Sequence, residues 1–394
     1  MRNKTILIQA ILFVATVVTT TLSGAESITG KFFFFLPEPY ALHFPEDFWQ
    51  GFAFSIPFLG ILTVHEFGHY FMAKYYKIKT SLPYYIPMWL GPFMMSIGTL
   101  GAVIRILDRT RTRKQYFDIG IAGPLAGFFV AIGVLWYGFT HLPPIDYIYH
   151  IHPDYLKYGT HYAEEVMKNE KLIGGQLVLG DNLLFTFFKN YVADPALVPP
   201  NFEMMHYPFI WAGYLALFFT ALNLFPIGQL DGGHILYGLI GKKRFQVVSP
   251  IIYVLFVLYA GYGLFSVQTI RQIGQLKADY ASETDFFQWL LLYVFGLRIC
   301  FSRINPENKY TAWILSLGVI VLQLGLSMIP AIESKHGFSG FFPFLFLLGR
   351  VLGVYHPDVE EDQPLDWKRQ VLGWFALLIF VLCFTPHPFM EVTF

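Results

Sequence analysis

The sequence predicts an all-α polytopic membrane protein of about 8–9 transmembrane helices, with a re-entrant, partly β hairpin after the helix that carries His65-Glu66-Phe67-Gly68-His69. Three observations point to this class. Of 394 residues, 55% are hydrophobic and 14% charged, whereas soluble chains are roughly 45–50% apolar and about 25% charged. Apolar runs close to the ~20 residues that cross a bilayer recur along the whole chain, leaving no sizeable segment for a separate soluble domain. One further stretch, residues 82–107, is apolar but dense in proline and glycine.

The expected spans are about 5–23, 49–73, 118–139, 207–228, 247–266, 286–302, 311–330, 338–354 and 370–386. The first is long enough to span, although Arg2 and Lys4 before it and Ser23, Gly24 and Ala25 after it also suit a signal peptide. In residues 82–107, Pro83, Pro87, Gly91, Pro92, Gly98 and Gly101 break any regular helix. Irregular backbone at membrane depth survives where protein buries it or it lines a watery cavity. A re-entrant hairpin is therefore expected, with a buried broken helix as the alternative. Three regions follow: 1–48, with the first helix and a loop; 49–245, a catalytic core with an insertion at 141–206; and 246–394, helices that carry no chemical motif.

Lys+Arg and Asp+Glu both number 27, so net charge suggests no nucleic-acid partner. Orientation comes from the distribution of charge. Lys74, Lys77, Lys79, Arg105, Arg109, Arg111, Arg113 and Lys114 lie between the second and third spans, and Lys242, Lys243 and Arg244 follow the fourth. Short loops rich in Lys and Arg stay in the cytoplasm, and the N-terminus goes with them. Residues 141–206 have no Arg and belong on the far side, where a loop of this size is expected to control substrate entry or bind a partner. Cys300 and Cys383 lie far apart in apolar runs and supply neither a disulfide framework nor a cysteine zinc site.

Any metal must then be held by histidine and carboxylate. His65, Glu66 and His69 form HExxH inside a span. Four residues are just over one helical turn, so both imidazoles share a face and can bind one zinc, with Glu66 beside them as general base. Ionisable groups at bilayer depth are costly and tend to mark function. A catalytic zinc takes three protein ligands and keeps one position open. Asp231 is the expected third ligand, at the close of the fourth span, with an N-cap of the next element as its alternative role. Gly232 and Gly233 let the backbone approach closely, Pro226 breaks the helix, and Asn223 offers amide donors for a carbonyl or oxyanion. His234 as a fourth ligand would close the site, so it takes a supporting role. His141, His150, His152, His161 and His206 are expected to be solvated on the far side.

These residues resemble the site-2 protease family of intramembrane zinc metalloproteases in three places, over residues 49 to about 240. His65-Glu66-Phe67-Gly68-His69 matches its HExxH. Asn223, Pro226, Leu230, Asp231 and Gly232 match NxxPxxxLDG. Gly123-Pro124-Leu125-Ala126 matches GPLA, with Gly127 where many members have Asn. The stretch ATVVTTTLSGA and the form GQLDGGH look like the branch with cyanobacterial and plastid members, and neither a PDZ nor a CBS module is recognisable. Other branches often place a second proline at the position of Gly228. The resemblance implies one Zn2+ per chain and regulated cleavage of transmembrane substrates such as anti-sigma factors, membrane-bound transcription factors or signal-peptide remnants. A bacterial inner-membrane location is expected, with the Lys and Arg distribution setting the site towards the cytoplasm. A metal-ion transporter using the same His/Asp site is the other reading, and nothing in the sequence fixes an oligomeric state.

Overall fold

The structure, a computed structural model, describes residues 2–33, 41–91, 96–108, 110–168, 177–265, 280–330, 332 and 336–391. It is mostly helical, with long helices α1 (Arg2–Thr29), α2 (Phe52–Tyr75), α3 (Arg113–Thr140), α4 (Pro208–Asn223), α5 (Asp231–Ala260), α6 (Tyr280–Phe301), α7 (Thr311–Leu326) and α8 (Trp367–Cys383). Among the described residues, four helical stretches are long and apolar enough to cross a membrane: Asn3–Thr29, Glu46–Tyr75, Arg113–Thr140 and Asp231–Ala260. Pro208–Asn223, Phe287–Phe301, Thr311–Leu326 and Ser339–Leu352 are apolar but shorter. The last position of the expected span 247–266 lies outside the described residues.

By packing, the chain forms two compact units: Met1–Arg111, Asp118–Leu224 and Phe375–Phe394 in one, Thr112–Phe117 and Phe225–Trp374 in the other. In the first, α2 packs along α4 through Phe54 on Trp211 and Phe58 on Phe219. The threonine run of α1 has a clear physical task. Thr16, Thr20 and Thr21 are buried in an apolar helix, where each hydroxyl must find a partner inside the protein. Thr16 and Thr20 bond back to carbonyls one turn earlier. Thr21 also meets Ser55 of α2 at 2.9 Å, and Thr19 donates to the Gly98 carbonyl at 2.7 Å.

That last bond ties α1 to the proline-rich stretch, which folds as an antiparallel pair. Strands β1 (Tyr84–Pro87) and β2 (Thr99–Val103) align Tyr84 with Val103 and Tyr85 with Ala102, and the register shifts before Pro87. A proline has no N–H for the ladder, so a break at this position is expected. The hairpin lies against α1, where Gln9 donates to the Leu82 carbonyl and Trp89 to Glu26. Its tip, 92–95 with Pro92, lies outside the described residues, as does Arg109.

The insertion 141–206 has structure of its own, apart from 169–176, which are not described. Short helices Asp146–Ile151, Tyr162–Lys168 and Leu183–Tyr191 are joined by turns, and the last is capped by the Asn182 side chain accepting from Phe185 N–H. Strand β3 (Leu177–Leu179) pairs antiparallel with β4 (Phe389–Glu391), so the C-terminal strand returns to this region.

The second unit corrects two sequence expectations. Asp231 does not close the fourth span; the helix ends at Asn223, and Asp231 is the first residue of α5. An acidic group suits the first turn, where the helix dipole favours negative charge. Lys242, Lys243 and Arg244 are not in a loop but follow a kink inside α5 at Gly241, whose φ is 76°. Arg113 is a buried structural cation: its Nε donates to the Gly238 carbonyl at 2.9 Å, and it pairs with Asp362 at 3.3 Å. Cys300 and Cys383 are free and buried.

Gly98 sits at φ 81°, and a Cβ there would overlap Thr20 of α1. Gly98→Ala is expected to cost about 1–3 kcal/mol. Gly60→Ala on α2, with nothing within 4 Å of the new carbon, is expected to stay within about 0.5 kcal/mol. Thermal unfolding of the two variants in detergent measures the contrast.

Candidate metal centre

Histidine at positions 65 and 69 falls on the inward face of α2, and both rings are buried, as is Glu66 between them. The two Nε2 atoms lie 3.1 Å apart. His69 Nδ1 donates to the Ile119 carbonyl of α3 at 2.7 Å. A carbonyl can only accept, so Nδ1 carries the proton and the Nε2 lone pair points at His65. Fixing the tautomer through the far nitrogen is the usual support for a metal-ligating imidazole. Tyr76 donates to Asp118, which anchors the end of α2 beside Ile119. Hydroxyls of Thr63 and Tyr85 meet at 2.7 Å, bringing β1 alongside this turn, and Tyr85 is near enough to Glu66 to sense its charge.

The glycines of the GPLA stretch explain how α3 comes so close. A Cβ on Gly123 would fall inside the His69 ring, and one on Gly127 would stand 3.0 Å from His65 Cβ. Gly68, inside HExxH, would meet the Ala122 carbonyl in the same way. Each missing side chain supplies the room that an imidazole or a backbone turn occupies. Pro124 follows inside α3, where it lacks the N–H a helix interior uses. Gly68 and Gly127 were quoted in the sequence only as parts of motifs; their task shows once the facing helix is known.

Asn223 is the last residue of α4, and its amide nitrogen is 3.5 Å from His65 Nε2. The first unit thus brings together His65, Glu66, His69, Gly123, Pro124 and Asn223. Pro226, Asp231 and Gly232 belong to the second unit. There, a turn runs from Phe225 to Leu230, with Ile227 N–H on the Phe225 carbonyl, and Gly228 at φ 57°. Proline, locked near −65°, could not adopt that conformation. A Cβ at Gly228 would strike the Gly353 carbonyl, and its N–H is held by Ser249 Oγ at 3.0 Å. Asp231 is half-buried, and Gly232 is buried behind it. His234 Nδ1 lies 2.9 Å from His356 Nε2, beside Tyr116.

Among the insertion histidines, His141, His150 and His161 are exposed, as expected of solvated residues. His206 and His152 depart from that expectation. His206 is buried, and His152 is half-buried with its Nε2 3.2 Å from that of His206. Burial follows from Ser27 of α1 and the turn leading into α4, which close over His206.

Two imidazoles so arranged, on a helix long enough to cross a bilayer, have the spacing of a metal-ligating pair. The model of peptidase family M50 matches residues 53–262, more than half of the chain. The chain belongs to that family, the site-2 proteases. It is similar to the probable zinc metalloprotease EGY2, chloroplastic, of Oryza sativa subsp. indica, at 29% identity over 68% of this chain and 40% of the relative. The protein of the same name from Arabidopsis thaliana is 29% identical over 71% of this chain and 41% of its own length. The probable zinc metalloprotease EGY1, chloroplastic, of Oryza sativa subsp. japonica is 31% identical over 47% of this chain and 27% of its own. The chain thus spans about two fifths of the length of the EGY2 proteins. No solved structure matches it at a significant level.

Replacing Gly123 by Ala is expected to push the His69 ring off its line and weaken zinc affinity by about 10- to 100-fold, the usual cost of disturbing a ligand's support. Gly133→Ala on the same helix, with open space around the new carbon, is expected to leave it unchanged. Zinc titration of both purified variants reads the difference.

Proposed function

We propose that the chain is an intramembrane zinc metalloprotease that hydrolyses a peptide bond of a membrane-spanning substrate, in regulated intramembrane proteolysis. His65, His69 and Asp231 hold one zinc at this site, and Glu66 is the general base. The observation that carries the reading is the His65–His69 pair, with Nε2 atoms 3.1 Å apart and the His69 proton held away on Ile119. Tetrahedral zinc with ~2.1 Å bonds keeps its donor atoms about 3.4 Å apart, so the pair fits two of its ligands. Asp231 completes the three-ligand set a catalytic site needs: it follows Asn223, which already reaches His65, by one short turn.

When bound, zinc lowers the pKa of a coordinated water from roughly 15.7 to about 7 and so supplies a nucleophile at neutral pH. Glu66 takes the proton from the attacking water on its carboxylate and passes it to the leaving amine nitrogen as the C–N bond breaks. Asn223 Nδ2 donates to the carbonyl oxygen as negative charge develops on it. Burial of Glu66 and both imidazoles in an apolar unit strengthens each of these interactions relative to water.

The wider reading takes 49–245 as the catalytic core, the hairpin 82–107 as re-entrant beside it, and the insertion 141–206 as the part that governs substrate access. The chain is multi-pass with 8–9 spans, the shorter helices included, and resides in a bacterial inner membrane with the site towards the cytoplasm. The apolar helices and the family support a membrane location. A metal-ion transporter built on the same ligands leaves Glu66 and Asn223 without a task.

Glu66→Gln is expected to keep zinc and to lose about 100- to 10,000-fold in cleavage of a labelled membrane-spanning peptide. Asp231→Ala is expected to lose the zinc held by His65 and His69. Asn223→Ala, with zinc retained, is expected to lose about 100- to 1,000-fold in kcat. Metal analysis by mass spectrometry alongside the peptide assay separates the three, and undiminished cleavage by Glu66→Gln would overturn the mechanism.

A further inference from the structure

Outside the HExxH helix, a second group of potential ligands is buried within the insertion and its neighbours: His152, Glu203 and His206, whose donor atoms all lie within 4.8 Å of one another. We propose that these three residues bind a divalent transition-metal ion, a second zinc-type site distinct from the HExxH centre.

The geometry is that of a ligand set. His152 Nε2 and His206 Nε2 are 3.2 Å apart, and each is 3.6 Å from Glu203 Oε2. Donors on a tetrahedral zinc with ~2.1 Å bonds stand about 3.4 Å apart, so one ion fits at the centre of the triangle. Local structure builds it. Glu203 and His206 bracket the 3-10 turn Met204–His206, where residues three apart eclipse and point the same way. His152 ends the short helix Asp146–Ile151 and stacks on Tyr155 with ring centroids 4.8 Å apart.

Two details separate this group from an ordinary buried cluster. His206 Nδ1 donates to the Ser27 carbonyl of α1 at 2.7 Å, which leaves its Nε2 lone pair aimed at the other two residues, as the outer partner of a metal-bound histidine does. Glu203 is 0% exposed, and neither of its carboxylate oxygens receives a hydrogen bond of normal geometry. A fully buried carboxylate without well-formed hydrogen bonds is costly unless a cation pairs with it. Two imidazole nitrogens and one carboxylate are donors that zinc accepts.

The fourth position has room. A cavity of about 240 Å³, lined among others by Ser23, Glu26, Ser27, His152, Phe202 and His206, adjoins the triangle and can hold a water ligand. The bound ion would clip three segments together: the end of α1 through Ser27, the insertion through His152, and the entry to α4, where Tyr147 also donates to the His206 carbonyl at 2.6 Å. Metal affinity at such a site is folding free energy for the segments it joins.

The test is zinc stoichiometry and zinc-dependent thermal stability of the full chain in detergent. The wild type is expected to hold two zinc ions, Glu203→Gln one, the His65→Ala/His69→Ala double variant one, and the three changes together none. Added zinc is expected to raise the unfolding midpoint of the double variant and not that of the triple variant. If Glu203→Gln does not fold, His152→Ala takes its place, since that ring is half-exposed. A folded double variant that binds no zinc and whose midpoint zinc does not move overturns the proposal. One zinc in the wild type, retained by the double variant and lost with Glu203→Gln, supports this site while refuting the HExxH centre.

Discussion

Inside an apolar unit, two imidazoles and a glutamate have to be held facing one point, with their remaining polar atoms satisfied by protein. The constraint that makes this possible is the close approach of α3 to α2. The backbone of α3 supplies the Ile119 carbonyl that takes the His69 proton, and the glycines at 68, 123 and 127 supply the space. A methyl group at Gly123 alone would claim the position of the His69 ring. Much of the first unit serves this contact: Tyr76 on Asp118 sets the height of α2 against α3, and the threonines of α1 brace α2 and the hairpin from the other side.

Much of this was legible in the sequence, for physical reasons. Four-residue spacing on a helix puts His65 and His69 on one face whatever surrounds them, and a proline and glycine density like that of residues 82–107 cannot make a helix. The hairpin, with its break before Pro87, follows from missing N–H groups. Other features depend on which elements become neighbours, and periodicity does not encode that. The helix Asp231–Ala260, kinked at Gly241, reads in the sequence as a loop followed by a span because Lys242, Lys243 and Arg244 look like a cytoplasmic boundary. Gly241, at a positive φ, lets the chain bend there and continue as helix.

Histidines 152 and 206 depart from the sequence expectation for a similar reason. A loop of mixed polar and aromatic residues ordinarily leaves histidine in water, and the sequence gives no sign that the end of α1 meets residue 206. The Glu203 and His206 pair, three residues apart before Pro208, was the available signal, and it pointed to a shared face. In both units, the placement of buried polar groups is what tells one segment where it must meet another, since each such group needs a partner that water cannot supply.

In the function proposed above, Asp231 shares a zinc with His65 and His69. The most direct measurement is X-ray absorption at the zinc edge on purified Asp231→Cys. Retained zinc with a sulfur neighbour at ~2.3 Å, the length of a zinc–thiolate bond, absent from the wild type, is the expected result. Zinc bound as in the wild type, with nitrogen and oxygen neighbours alone, would contradict it.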